Sequence, residues 1–122
     1  MRRIVVFVII FCFSVGALFA QQINQKDANG LRQGLWKKQY PDSQQLRYQG
    51  SFLDNKEVGT FSFYCETCGE QPFCVKEFSP NAPTQVQYYT KNGDVVSKGA
   101  MRGKQRIGLW LIFHESSQKV MT

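Results

Sequence analysis

Three segments with one layout decide the fold of this chain: Gly34-Leu35-Trp36-Lys37-Lys38-Gln39-Tyr40, Gly59-Thr60-Phe61-Ser62-Phe63-Tyr64 and Gly108-Leu109-Trp110-Leu111-Ile112-Phe113. Each begins with glycine, continues with alternating bulky residues and contains an aromatic side chain two positions after the glycine. The first two glycines are 25 residues apart and the last two are 49 apart, or nearly two units. Self-similarity at a fixed period is typical of repeat proteins. We therefore interpret the chain as an internal repeat.

Further positions coincide when the sequence is shifted by 49 residues. The pairs are Tyr40 with Tyr89, Leu46 with Val95, Gly50 with Gly99, Phe52 with Met101, Gly59 with Gly108 and Phe61 with Trp110. Coincidence at so many glycine and aromatic positions is not expected by chance. The unit near Ala82-Pro83-Thr84 departs from the pattern, since Pro83 and Gln85 stand where glycine and tryptophan are expected.

Each unit predicts a β-hairpin. In the first, a strand over residues 36–40 leads into Pro41-Asp42-Ser43, which is turn chemistry, and an alternating return strand follows over residues 46–49. In a later unit the dipeptide Asn92-Gly93 is a strong signal for a tight hairpin turn. No window after the first twenty residues shows a helical period. The sequence thus predicts an all-β fold, an antiparallel meander of hairpins of about 3.5 units.

The first twenty residues have the layout of a secretory signal peptide. Arg2 and Arg3 form a basic start, Ile4 to Phe13 is an unbroken apolar run, and Ala17-Leu18-Phe19-Ala20 offers a cleavage site. The alternative is a retained anchor, because residues 4–20 comprise 17 uncharged positions, at the short limit of a membrane span. The Ala-x-Ala end favours cleavage after Ala20. We therefore expect export to the periplasm, outer envelope or medium.

These signals divide the chain into three parts. We expect a signal peptide helix over 1–20, a short linker over 21–30 and repeats over 31–122. The repeat units lie near 34–58, 59–82 and 83–107, with an incomplete unit at 108–122. An incomplete last hairpin would leave an edge strand that could pair with another chain. The C-terminal edge is therefore a candidate oligomer contact.

The charge of the expected mature chain is modest. Removing Arg2 and Arg3 from 15 basic residues leaves 13, against 9 acidic residues. The basic residues are spread along the sequence, whereas nucleic-acid-binding proteins more often cluster them on one element. We therefore expect no nucleic-acid partner. Weak attraction to anionic membrane surfaces remains compatible with this charge.

The repeat positions supply the first candidate site. Trp36, Phe61 and Trp110 share one position and predict a stacked ladder. Such a ladder would hold the units together or, alternatively, present aromatic rings to sugars or choline-like head groups; a thin sheet favours the structural role. The repeat glycines are interpreted as positions of positive φ or close approach, not as a phosphate-binding loop. They are Gly34, Gly50, Gly59, Gly99 and Gly108.

The stretches Asn29-Gly30-Leu31-Arg32-Gln33-Gly34-Leu35-Trp36-Lys37-Lys38, Tyr48-Gln49-Gly50-Ser51-Phe52 and Val58-Gly59-Thr60-Phe61 resemble MORN-type repeats. The closest likeness is to bacterial variants labelled antitoxin-like. The resemblance runs from about Asn29 to Phe113 and implies a ribbon of antiparallel hairpins used for structure or for binding partners, in some members lipids. Toxin neutralisation is normally cytoplasmic, so an antitoxin-like role is an alternative to an exported one.

A cysteine-rich segment, Cys65-Glu66-Thr67-Cys68-Gly69-Glu70-Gln71-Pro72-Phe73-Cys74, supplies the second candidate site. An oxidising compartment favours a disulfide, either Cys65–Cys74 or Cys65–Cys68, with the third thiol left over. A zinc site would need all three thiolates and His114, the one histidine. A redox-active Cys-x-x-Cys would want a helix N-terminus at its first thiolate, where a turn is expected instead.

Enzymatic groups are sparse. A catalytic triad is hard to assemble from one histidine, and the carboxylates of Asp42, Asp54, Glu57 and Asp94 lie in or beside expected turns. We therefore expect no enzyme and no cofactor. The sequence favours an exported module that binds a protein or an envelope polymer through its β-repeat surface. The alternatives are an antitoxin-like protein and, more weakly, a thiol-active or zinc-binding envelope protein.

Overall fold

The computed structural model describes residues 22–113 and 120–121. The expected signal peptide, His114 and most of the expected C-terminal edge strand lie outside these residues. The described part contains nine strands: β1 (Gln25–Lys26), β2 (Arg32–Gln39), β3 (Leu46–Leu53), β4 (Lys56–Phe63), β5 (Cys74–Ser79), β6 (Ala82–Tyr89), β7 (Val95–Arg102), β8 (Gln105–Phe113) and β9 (Val120–Met121).

The strands form one sheet in which spatial order equals chain order. Every neighbouring pair is antiparallel. This confirms the predicted all-β antiparallel meander. The strands extend beyond the predicted limits, since β2 begins at Arg32 and β3 continues to Leu53. The structure also places β1 inside the segment expected to be a linker, where Gln25 and Lys26 pair with β2.

The turns follow from local residue chemistry. Asp54 and Asn55 join β3 to β4 with φ of 50° and 70°. Two successive residues with positive φ form the turn that matches strand twist, and Asp and Asn tolerate this conformation better than most residues. At the predicted Asn92-Gly93 turn, Gly93 has a φ of 88° and its N–H donates to the carbonyl of Thr90 at 3.0 Å.

The repeat is visible as a recurring irregularity in strand pairing. The register of β3 with β4 shifts between Gln49 and Ser51, and that of β7 with β8 shifts between Lys98 and Ala100. A bulge places extra residues of one strand opposite a single residue of its partner. The single residue is Gly50 in one pair and Gly99 in the other. The two bulges therefore recur at the 49-residue offset found in the sequence.

Most of the core of this sheet lies on one face. The exception is Tyr64, whose hydroxyl accepts a hydrogen bond from the Gln49 amide on the other face. The buried hydrophobic residues of the described chain are Trp36, Phe52, Phe61, Tyr64, Cys74 and Val86. Tyr48, Phe63 and Phe78 pack against the cluster of Trp36, Phe52 and Phe61. Large aromatic side chains thus supply most of the apolar burial that holds neighbouring hairpins together.

In the unit that lacks tryptophan, a valine occupies the corresponding buried position. Val86 lies opposite Gly99, as Trp36 lies opposite Gly50 in the first unit. Only 1% of the Val86 surface is exposed. The valine stands one residue later than the 49-residue offset predicts, which is why sequence alignment places Gln85 at this position.

Candidate functional site

The register assigns the aromatic side chains to one surface of the sheet. Trp36 pairs with Gly50, and Phe52 pairs with Gly34 on the same two strands. Because side chains alternate between faces, residues two apart along a strand share a face. We call the surface that carries Trp36, Phe52, Phe61 and Trp110 the aromatic face. The other surface is called the opposite face.

Four rings of the aromatic face form a continuous edge-to-face series across β2 to β5. The ring centroids of Trp36 and Phe52 are 6.0 Å apart, those of Phe52 and Phe61 are 5.2 Å apart, and those of Phe61 and Phe78 are 5.3 Å apart. The interplanar angles are 81°, 82° and 82°. This arrangement brings the positive edge of one ring to the negative face of the next and is more favourable than a face-to-face stack.

The three residues predicted to form a ladder occupy two places. Trp36 and Phe61 belong to one cluster, with Phe52 between them. Trp110 lies over Gly99 in β7, and its indole Nε1 donates to the carbonyl of Ala100 at 3.0 Å. The corresponding Nε1 of Trp36 donates to the carbonyl of Gln25 at 3.2 Å. Each indole therefore ties its strand to the preceding one.

Basic side chains lie over these rings. The guanidinium carbon of Arg32 is 4.0 Å from the Phe52 centroid, and that of Arg106 is 4.6 Å from the Trp110 centroid. The ammonium of Lys76 lies 5.5 Å from the Phe63 centroid, and that of Lys38 lies 6.0 Å from the Trp36 ring. Distances below about 6 Å are those of cation–π contacts. The aromatic face therefore has buried rings beneath a layer of cations.

Two of these cations belong to the repeat itself. The sequences Arg32-Gln33-Gly34-Leu35-Trp36 and Arg106-Ile107-Gly108-Leu109-Trp110 share arginine, glycine, leucine and tryptophan at the same spacing. In these two units the arginine lies two positions before the glycine that begins the predicted repeat segment, and the predicted site residues therefore do not include it. In the middle unit the equivalent residue is Glu57. In the three units that share the glycine and aromatic pattern, this position is thus basic, acidic and basic.

Arg32 is held in place by Asn55. The Arg32 Nε donates to the Oδ1 of Asn55, and the Asn55 N–H donates to the Arg32 carbonyl at 3.0 Å. Asn55 lies in the β3–β4 turn with positive φ. This turn therefore restricts the guanidinium to a position over Phe52, which reduces the entropy lost if Arg32 contacts a ligand.

The charges of the described chain are segregated between strands and connections. The strands carry two acidic residues, Glu57 and Glu77, and ten basic ones: Lys26, Arg32, Lys37, Lys38, Arg47, Lys56, Lys76, Lys98, Arg102 and Arg106. The connections carry two basic residues, Lys91 and Lys104, and six acidic ones: Asp27, Asp42, Asp54, Glu66, Glu70 and Asp94. The strands are therefore strongly basic, although the net charge of the chain is modest.

The aromatic face carries an open cleft of about 300 Å³ with charged side chains at its rim. Its lining residues are Arg32, Arg47, Tyr48, Phe52, Glu57, Phe61 and Phe63. Two guanidinium groups and one carboxylate thus surround an aromatic floor. Such a site can pair with an anionic group, and its shallow form suits part of an extended molecule rather than an enclosed small ligand.

Exposed apolar side chains lie mainly away from this cleft. Leu53 and Leu109 expose 60% and 71% of their surface, and Leu35 is also exposed. Leu35 alternates with Trp36 along β2, which places it on the opposite face. The exposed leucines thus belong to the opposite face, which also has one cation–ring contact, Lys98 over Phe113 at 5.8 Å. On the aromatic face Ile112, which pairs with Ser97, is exposed.

The cysteine segment forms a closed loop between β4 and β5. Of the two predicted pairings, the structure contains Cys65–Cys68, and the Cys65–Cys74 alternative is wrong. Cys74 begins β5, where it pairs with Phe63 and Tyr88 as part of the sheet. Its thiol is buried, and this burial raises the pKa of Cys74 above its ordinary value.

Side-chain hydrogen bonds fix this loop to the β2–β3 hairpin. The Tyr40 hydroxyl donates to the Tyr64 carbonyl at 2.6 Å. The Gln45 amide donates to the carbonyl of Gly69 at 2.9 Å and accepts from its N–H at 3.2 Å. The loop is therefore tied to its neighbour on both sides of the disulfide. The zinc alternative loses two thiolates to this bond, and His114 lies outside the described residues.

The carboxylates considered for catalysis are placed as follows. Asp42, Asp54 and Asp94 lie in hairpin connections, and Glu57 lies on β4 in the cleft. Asp27 accepts hydrogen bonds from Gln33, Leu31 and Asn29, which lower its pKa. Its position at the β1–β2 turn makes these bonds structural.

Comparisons with known proteins found no matching family model, no matching curated protein and no matching solved structure. Over residues 22–113 and 120–121, no helix has the length and apolar character needed to cross a bilayer.

Proposed function

We propose that this protein is an exported, non-enzymatic binding module that attaches to a polymer or protein of the cell envelope through the surface of its β-repeat sheet. The observation that carries the proposal is the layer of cations over the rings of the aromatic face. Arg32 and Arg106 occupy the same repeat position, and each guanidinium lies over an aromatic ring. A fixed scaffold that displays charges at intervals suits a repetitive or extended partner.

Two further features support this function over the antitoxin-like alternative. The N-terminal segment of residues 1–20 has the layout of an export signal. Cys65 and Cys68 are joined in a disulfide, which persists in oxidising compartments and is rare in the cytoplasm. The resemblance to MORN-type repeats implies a binding or structural role as well. A thiol-active role remains the weaker alternative, centred on the same Cys65–Cys68 pair.

Cosedimentation with isolated envelopes tests the proposal. Protein recovered from host cells would be mixed with washed envelope material at low and high ionic strength. We expect it to sediment with the envelope at low salt and to be released at high salt, because partly solvated charge contacts are screened. Protein that stays in the supernatant at every salt concentration would contradict the proposed function.

A further inference from the structure

The spacing of charges on the aromatic face favours one class of partner, and this inference rests on the proposed function. Arg32 lies on β2, Lys76 on β5 and Arg106 on β8, so that a cation recurs at every third strand. Neighbouring strands are about 4.8 Å apart, so consecutive members of this set are separated by about 14 Å in the direction across the strands. Lys76 pairs with Phe61, whose ring lies over Gly50, the partner of Trp36, so Lys76 lies about four residues along the strands from Arg32. A linear polymer that contacts all three cations would therefore cross the strands obliquely.

The packing of this face argues against a protein as the partner here. The dominant anchors of protein interfaces are aromatic residues and arginine that fill well-packed, fully desolvated pockets. The rings of Trp36, Phe52 and Phe61 are buried, and Arg32 lies above the first two. Exposed leucines such as Leu35 lie on the opposite face. The aromatic face thus offers positive charge and hydrogen-bond donors around a shallow aromatic floor, which fits an extended partner that carries anionic groups.

We propose that the aromatic face binds an acidic polysaccharide, with Arg32, Lys76 and Arg106 contacting its carboxylates. Arginine presents a planar set of donors that matches a carboxylate, and a guanidinium held over a ring is already oriented for that contact. Glu57 lines the same cleft as Arg32 and opposes the binding of an anion. The carboxylate of Glu57 therefore limits the affinity.

Affinity electrophoresis of the native protein through gels containing polygalacturonate tests this proposal, with neutral dextran as the comparison polymer. We expect retardation by polygalacturonate, decreasing with salt, and none by dextran. The variant Arg32→Gln/Lys76→Gln/Arg106→Gln should bind roughly tenfold more weakly, the order of magnitude for three partly solvated charge contacts.

A matched control variant distinguishes binding at this site from binding that depends only on the net charge of the protein. The variant Lys37→Gln/Lys56→Gln/Lys98→Gln removes the same charge from strand positions that the register assigns to the opposite face. It should keep most of the affinity. Equal losses in both triple variants would overturn the proposal, since binding would then follow net charge alone.

A second variant guards against loss of fold in the first. Glu57→Gln removes a negative charge without shortening the side chain, and it should strengthen binding to polygalacturonate about twofold to fivefold. If Glu57→Gln alters neither the affinity for polygalacturonate nor the thermal unfolding, the proposed binding site is contradicted. Binding to polyglutamate or to phosphatidylglycerol vesicles without binding to polygalacturonate would also overturn the ligand class. Sedimentation with envelopes but no binding to the polymer would leave the proposed function standing and remove this inference.

Discussion

The ring of Phe61 lies directly over the backbone of Gly50, and a Cβ atom at residue 50 would overlap its ring carbons. The same relationship recurs between Trp110 and Gly99. In both cases the glycine is the residue opposite a bulge in the next strand. The aromatic and the glycine therefore act as one unit, because the ring can lie flat on the sheet only where no side chain intervenes.

The substitution Gly50→Ala should destabilise the protein by about 1–3 kcal/mol, the range for overpacking a filled site. Chemical denaturation measures this change. The double variant Gly50→Ala/Phe61→Leu should lose less stability than the sum of the two single variants, because the smaller leucine side chain makes room for the methyl group. Additive effects of the two substitutions would mean that Phe61 does not require the glycine.

The substitution Phe61→Ala should cost about 3–5 kcal/mol, the range for removing a buried aromatic ring. Phe61 exposes 2% of its surface and contacts Phe52 and Phe78 edge to face. Leu109→Ala is the matched control, because Leu109 is 71% exposed, and it should change stability by less than about 0.5 kcal/mol. Comparable losses in the two variants would contradict the one-sided core.

Alkaline pH should weaken the fold through Cys74. Burial raises the thiol pKa above its ordinary value of 9.0, so the folded state favours the neutral thiol. This stabilisation is fully present below the ordinary pKa and is lost as the pH rises toward the folded-state pKa. Tyr88, whose pKa is also raised by burial, acts in the same direction.

Thermal unfolding at pH 8 and pH 10.5 measures this effect in the wild type and in Cys74→Ala. We expect the variant to lose less stability between the two pH values, since it lacks the buried thiol. The variant also removes the contribution of Cys74 to the raised pKa of Tyr88, so the difference between the two proteins reports the coupled pair. An identical loss of stability in both proteins would show that ionisation of Cys74 does not destabilise the fold.

Reducing the Cys65–Cys68 disulfide should lower stability by about 2 kcal/mol or less, because the bond closes a very short loop. Denaturation curves with and without reductant give this difference. The variant Cys65→Ser/Cys68→Ser should match the reduced wild type and should not respond to reductant. A loss well above this range would mean that the disulfide holds more of the sheet than its own loop.

The sequence predicted the architecture because glycine and aromatic residues recur at a fixed offset, and the turn residues mark where strands end. It did not predict β1, since Gln25 and Lys26 carry no strand pattern and pair only because the edge of β2 is available. The position of Val86 was missed because a one-residue difference in unit length is invisible without the register. The disulfide pairing was left open because spacing alone allows both partners of Cys65.

The basic layer over the rings was also not predicted. Its signal was present in the shared Arg-x-Gly-Leu-Trp of residues 32–36 and 106–110. The basic residues looked scattered because they were counted along the chain. Pairing of consecutive strands brings them onto one sheet, while most of the acidic residues lie in the connections.

The most direct test of the account is the intact mass of the protein recovered from fractionated host cells, after alkylation under denaturing conditions without reductant. We expect a species in the envelope or the medium that begins at Gln21 and carries one alkyl group, on Cys74. After reduction, Cys65 and Cys68 should be modified as well. A full-length cytoplasmic species with every thiol alkylated before reduction would contradict the exported module and favour the antitoxin-like alternative.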